Sequence, residues 1–196
     1  MQTTLKKLRT HSPCEPGWEK LLRHLGKRRA DDEPLSILTI LDSNGLDDAL
    51  WCLRAVDGRD RDIRLYAVWC ARQVEPLMTD EHSRKALYVA ERYANGLATN
   101  EELAAARAAA WDAAWDAEGD AAWASEGAAA WASAWDAAWD AARAAAWAAE
   151  GAAAWAAARA SAWDAEGAAA RAAARASAWD AARAEQEQKL RELCTA

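Results

Sequence analysis

Phenylalanine is missing from this chain altogether, while tryptophan occurs 13 times, ten of them after residue 110. Composition therefore changes character partway along. Long apolar runs are missing too. No stretch approaches the roughly 18 apolar residues of a membrane span, and the start, MQTTLKKLRT, lacks the apolar run of a secretory leader. The four cysteines, Cys14, Cys52, Cys70 and Cys194, form no C-x-x-C pair. Cys52 and Cys70 sit in apolar helical sequence and read as small buried thiols of a reducing compartment. The expectation is a cytoplasmic protein.

Histidine is scarce. His11, His24 and His82 have no partner at ligand spacing, so no metal site and no general base is expected. No Gly-rich phosphate loop, G-x-S-x-G or H-E-x-x-H occurs, and no cofactor is expected. The neighbours Asp47-Asp48 and Asp31-Asp32 point some 100° apart on a helix and do not converge on one substrate atom; they read as solvated or capping carboxylates. These absences point away from an enzyme.

Positive charge is short in one half only. Residues 1–97 carry 16 Lys+Arg against 15 Asp+Glu, and residues 98–196 carry 8 against 16, so the net charge of −7 belongs to the second half. An acidic surface does not suit phosphate binding, and nucleic acid is not an expected partner. Acidic mimicry of nucleic acid stays open as one alternative.

What is present is helix, so the fold class is all-α: an N-terminal helical bundle followed by Ala/Trp-rich helices. Pro16-Gly17 precedes a helix over 18–25, closed by Gly26. Pro34 fits a first helical position before Leu35–Leu41, and Asn44-Gly45 ends that helix. Leu46, Ala49, Leu50 and Leu53 then recur at helical spacing. After the Asp57-Gly58 turn, a helix over about 60–74 is apolar on most sides and belongs mid-bundle; Pro76 stops it. Thr79 or Asp80 opens the next, closed by Asn95-Gly96. Thr99-Asn-Glu-Glu102 has the spacing of a capping box. By composition the chain divides into an N-terminal segment (1–33), a bundle (34–103), a repeat array (104–184) and a tail (185–196).

In the array every fourth residue from Arg107 to Arg183 is Trp, Gly or Arg, over 20 positions. Ten are Trp (111, 115, 123, 131, 135, 139, 147, 155, 163, 179), four Gly (119, 127, 151, 167) and six Arg (107, 143, 159, 171, 175, 183). The residue before is Ala or Glu, the residue after Asp or Ala, and the last slot Ala or Ser. Within each slot the choices lie one base apart in the genetic code. Expansion of a four-codon unit followed by point changes accounts for the pattern, whose period is far below that of solenoid repeats.

So much alanine favours helix. Four residues advance roughly 400°, so the slot row drifts by about 40° per unit. Two outcomes are open. The array folds back as hairpins of two to four units, broken at Glu-Gly sites such as 118–119, 150–151 or 166–167, with at least one of Gly119 and Gly127 a tolerated replacement. Alternatively, long helices associate with other copies in a right-handed supercoil. An indole removes roughly 150–250 Å² from water, about 4–6 kcal/mol as an upper figure, so Trp is expected to dominate packing.

Leu41-Asp-Ser-Asn-Gly-Leu-Asp-Asp-Ala-Leu-Trp-Cys-Leu-Arg-Ala, followed by Arg64-Leu-Tyr-Ala-Val-Trp-Cys-Ala-Arg and Ala94-Asn-Gly, resembles the Imm-5-like family of immunity proteins, small Ala-rich helical proteins of bacteria and phages. The likeness covers about residues 35–115. It implies a non-enzymatic inhibitor that neutralises a toxin or defence protein by direct contact. A self-assembling helical scaffold, a homo-oligomer held by the array, is the rival reading. Trp and Arg are favoured at interface hot spots, and residues 59–64 form a mixed-sign segment. The candidate protein-contact residues are therefore Asp47, Asp48, Trp51, Arg61, Arg64, Trp111, Trp115, Trp135 and Trp139.

Overall fold

The computed structural model describes residues 1–117, 120–132, 137–160 and 165–195, with backbone alone for 120–121, 137–141, 155–160 and 165–171. The fold is all-α, with ten α-helices among the described residues. One short antiparallel ribbon pairs β1 (Gln2–Thr3) with β2 (Leu35–Ser36). Two compact units form, one from residues 1–60 and 189–196, the other from 61–188. This division follows contacts, whereas the sequence segments follow composition.

The first unit holds α1 (Leu5–Thr10), α2 (Glu15–His24), α3 (Ile37–Asn44) and α4 (Leu46–Cys52), the last running into a 3₁₀ turn at Leu53–Ala55. Pro34 is not the first residue of α3. Leu35 and Ser36 are extended to pair with the N-terminus, and Ser36 Oγ then caps the helix by accepting from Leu38 N at 3.1 Å. Pro16 and Gly17 likewise lie inside the first turn of α2, where proline's missing N–H costs nothing. Gly45, at φ 99°, is the joint between α3 and α4 and needs the freedom of glycine. The core is aliphatic: Leu5, Leu8, Ile37, Ile40 and Leu53 are at most 2% exposed, and the apolar spacing of α4 buries Leu46, Ala49 and Leu50 as expected. The chain's last residues complete this unit through Leu190, fully buried, and the Met1 amino group donating to Cys194 O at 3.0 Å.

The second unit starts with α5 (Asp60–Arg72) and continues through α6 (Glu81–Ala94), α7 (Asn100–Asp116), α8 (Asp120–Ala132) and α9 (Ala137–Ala160). The final helix, α10 (Ala165–Thr195), belongs to it as far as residue 188. Asp80 caps α6, accepting from His82 N at 2.7 Å. Thr99 and Glu102 form the reciprocal capping box of α7. Successive helices α6 to α9 pack in order, and α6 also meets α8. α10 is held by Gln186, whose Nε2 donates to Ala142 O at 2.8 Å and whose carbonyl accepts from Tyr66 Oη at 3.0 Å.

The array thus folds back on itself, but two expectations about it need correcting. Glu150-Gly151 lies inside α9, and Glu166-Gly167 inside α10; surrounding alanines outweigh the roughly 1 kcal/mol that each glycine costs. Gly127 is likewise a tolerated replacement within α8, whereas Glu118-Gly119 lies outside the described residues. At 24 residues, α9 also exceeds four units. Its slot row alternates Trp with Arg143, Gly151 and Arg159, so the drifting row does not demand a continuous apolar neighbour.

Among the described residues no tryptophan of the array is fully buried. Most of the described buried positions of the array are alanines: Ala110, Ala128, Ala129, Ala130, Ala142 and Ala146 are 0% exposed. Small side chains let helix axes approach closely. Of the described tryptophans of the array, Trp115, Trp123 and Trp147 stand exposed at the rim, while Trp111, Trp131 and Trp179 are partly buried, Trp111 against Ala86, Ala110 and Ala130.

Candidate functional site

Tryptophans gather where α7, α8 and α9 meet. Trp111 from α7, Trp123 and Trp131 from α8 and Trp147 from α9 line a cleft of about 330 Å³ together with Ala124, Gly127, Arg143 and Ala144. Trp111 and Trp131 meet edge to face, 4.9 Å between centroids and 82° between planes, the geometry the ring quadrupoles favour. The Arg143 guanidinium lies 4.8 Å over the Trp147 ring, a cation–π contact. A second hollow of about 270 Å³ shares Trp123, Ala124 and Trp147 and adds Glu150, Gly151 and Arg175. Together they form one aromatic surface in which Trp123 is 45% and Trp147 42% exposed; Trp115, one unit along α7 from Trp111, is 77% exposed.

Of the residues nominated from sequence, Trp111 enters this cleft and Trp115 stands exposed beside it on the same helix. Trp135 lies outside the described residues, and of Trp139 only the backbone is described. Asp47, Asp48 and Trp51 share α4. Asp47 is exposed, but Asp48 accepts from Asn44 Nδ2 at 2.7 Å and Trp51 is half-buried beneath the Arg54 guanidinium, 4.6 Å away. Arg61 is exposed and donates twice to Asn95 Oδ1, at 3.2 and 2.8 Å. Arg64 is not a surface contact residue. It is 8% exposed, its guanidinium 4.9 Å over the Tyr93 ring, because its place on α5 faces the packed side of the helix.

No family model, curated protein or solved structure matches this chain. Its surface must therefore be read on its own chemistry.

Sequence reasoning missed Glu126. This side chain of α8 is fully buried, and its Oε1 accepts from Thr79 N at 2.6 Å, Asp80 N at 3.0 Å and Thr79 Oγ1 at 3.2 Å. It meets the N-terminal end of α6, where unpaired N–H groups and the helix dipole favour an anion. Its Oε2 has no hydrogen-bond partner among the described residues, and neither does the buried Ser83 Oγ. A signal did exist: each of the four array glycines follows a glutamate, at 118, 126, 150 and 166.

The cysteines offer no nucleophile in this region. Burial pushes the Cys52 and Cys70 thiols up to about 12, which leaves them protonated and inert at neutral pH. Cys14 is exposed, and burial raises Cys194 as well. Among the described residues no cluster of three His, Cys, Asp or Glu side chains is placed to hold a metal ion, and no helix is long and apolar enough to cross a membrane.

Proposed function

We propose that the protein is a non-enzymatic inhibitor that neutralises a toxin or defence protein by direct contact, with the tryptophan rim of the array as the contact surface. The observation that carries this reading is the exposure of Trp115, Trp123 and Trp147, at 77%, 45% and 42%, beside fully buried alanines. Exposed indoles give a large apolar anchor at little conformational cost, the character of an interface hot spot, and Trp123 and Trp147 line the same cleft. The excess of acid in residues 98–196, 16 against 8, selects a basic partner through complementary charge. The resemblance of residues 35–115 to Imm-5-like immunity proteins supports the same reading.

The test is co-expression and co-precipitation of wild type beside a Trp115→Ala/Trp123→Ala/Trp147→Ala variant, with growth rescue as the biological readout. A stoichiometric basic partner, weakened about a hundredfold or more in the variant, is the expected result. A partner held equally by both would move the contact to another surface. A chain that retrieves only itself, with a solution mass that falls in the variant, would favour the self-assembling scaffold.

A further inference from the structure

The cleft itself has a feature that an exposed rim does not require. On α8 the slot row runs Trp123, Gly127, Trp131, and residues four apart stand nearly above one another on a helix. Gly127 therefore occupies the place between two indoles where the commonest slot residue is a third. It is buried, and a Cβ built there meets nothing within 4 Å. The space is bounded by four indoles from three helices and by the guanidinium of Arg143. At about 330 Å³ it falls in the size range of small-molecule sites, and a cavity of roughly half that volume is enough for a benzene ring.

We propose that the Gly127 cleft binds a small planar aromatic molecule of the indole class, which replaces the side chain omitted from the repeat at this position. The indoles supply ring faces and edges for stacking, the lining alanines add no polar side chain to desolvate, and the Arg143 guanidinium over Trp147 suits a π-face or an acidic substituent. The site uses Trp123 and Trp147 of the proposed contact surface but needs no protein partner, so either reading stands if the other fails.

The experiment is calorimetric titration of the full chain with indole, repeated with indole-3-acetate and with tryptamine. Saturable one-site binding with Kd on the order of 0.1–1 mM is expected for a ligand of this size, with the acid at least equal to indole and the amine weaker. Gly127→Ala adds one methyl group where the space is open and retains binding within about threefold, whereas Gly127→Trp fills the cleft and weakens it by about tenfold or more. No saturation up to the solubility limit of indole overturns the proposal. So does equal affinity in the Gly127→Trp protein, which would mean adsorption on the exposed rings. If Gly127→Trp does not fold, Trp147→Ala removes a wall instead; a loss of about fivefold or more supports the site, and unchanged affinity overturns it.

Discussion

The first unit and the repeat array bury different things. In the first, a few large side chains (Leu5, Leu8, Ile37, Ile40, Leu53 and Leu190) close the core, each contributing roughly 1.5–3 kcal/mol by burial. In the array the described buried residues are mostly alanines, which remove little area but lose no side-chain entropy and have the best helix propensity. Stability is thus concentrated at a handful of positions in one region and spread thinly over many in the other. Large aromatic residues, released from the interior by that arrangement, become available at the surface.

The sharpest way to break this contrast is to remove one large residue. Ile40→Ala in the first unit should lower stability in urea unfolding by about 2–5 kcal/mol; a loss below about 1 kcal/mol would mean that its core is as diffuse as that of the array. The converse change, Ala129→Leu on α8, should also destabilise, by about 1–3 kcal/mol through overpacking. If it stabilised instead, the helix axes would have room to spare.

Glu126→Ala should cost a similar or slightly smaller amount, about 1–3 kcal/mol, because Thr79 N and Asp80 N lose a buried acceptor. Loss of amide protection at Thr79 and Asp80, read by hydrogen exchange, would locate the effect at the start of α6. Gly127→Ala should gain about 1 kcal/mol, since the position is helical and open. A loss there would mean that the glycine is held by a close neighbour.

The smallest effect is a pH dependence. Hydrogen bonds from the His82 backbone N–H and then from its side chain hold the Asp80 carboxyl below its ordinary 3.8. A lowered folded-state value means that the contribution is complete above the unfolded-state value and is lost as pH falls through the folded one. The stability advantage of wild type over Asp80→Asn should therefore shrink as pH drops below about 4. A difference independent of pH would show that the cap acts through its geometry alone.

How much of this was legible in the residues depended on whether the signal was local. The capping box of Thr99 and Glu102, the cap at Asp80, the joint at Gly45 and the apolar spacing of α4 are short-range patterns, and the structure follows them. Pro34 misled because pairing of Leu35 and Ser36 with the N-terminus is a long-range event that no helix signal announces. Arg64 looked like surface by residue type, and only its position on α5, against Tyr93, makes it interior. In the array, area arguments favoured buried tryptophan. The described positions that are fully buried there are mostly alanines instead, which depends on how the helices meet rather than on area. Glu126 looked like one of four equivalent glutamates, and only the fold distinguishes it from the rest.

That distinction bears on how a repetitive chain finds a single structure. Sliding a tandem helix by one unit lays nearly the same residues over the same neighbours, so packing alone discriminates weakly between alignments four residues apart. Glu126 meets the start of α6 in one alignment only, and the Gln186 side chain reaches Ala142 O in one alignment only. The two act as index marks on an otherwise uniform ruler. New units could be added or lost between Glu126 and Ala142 without erasing the reading, but not between a mark and the group it addresses.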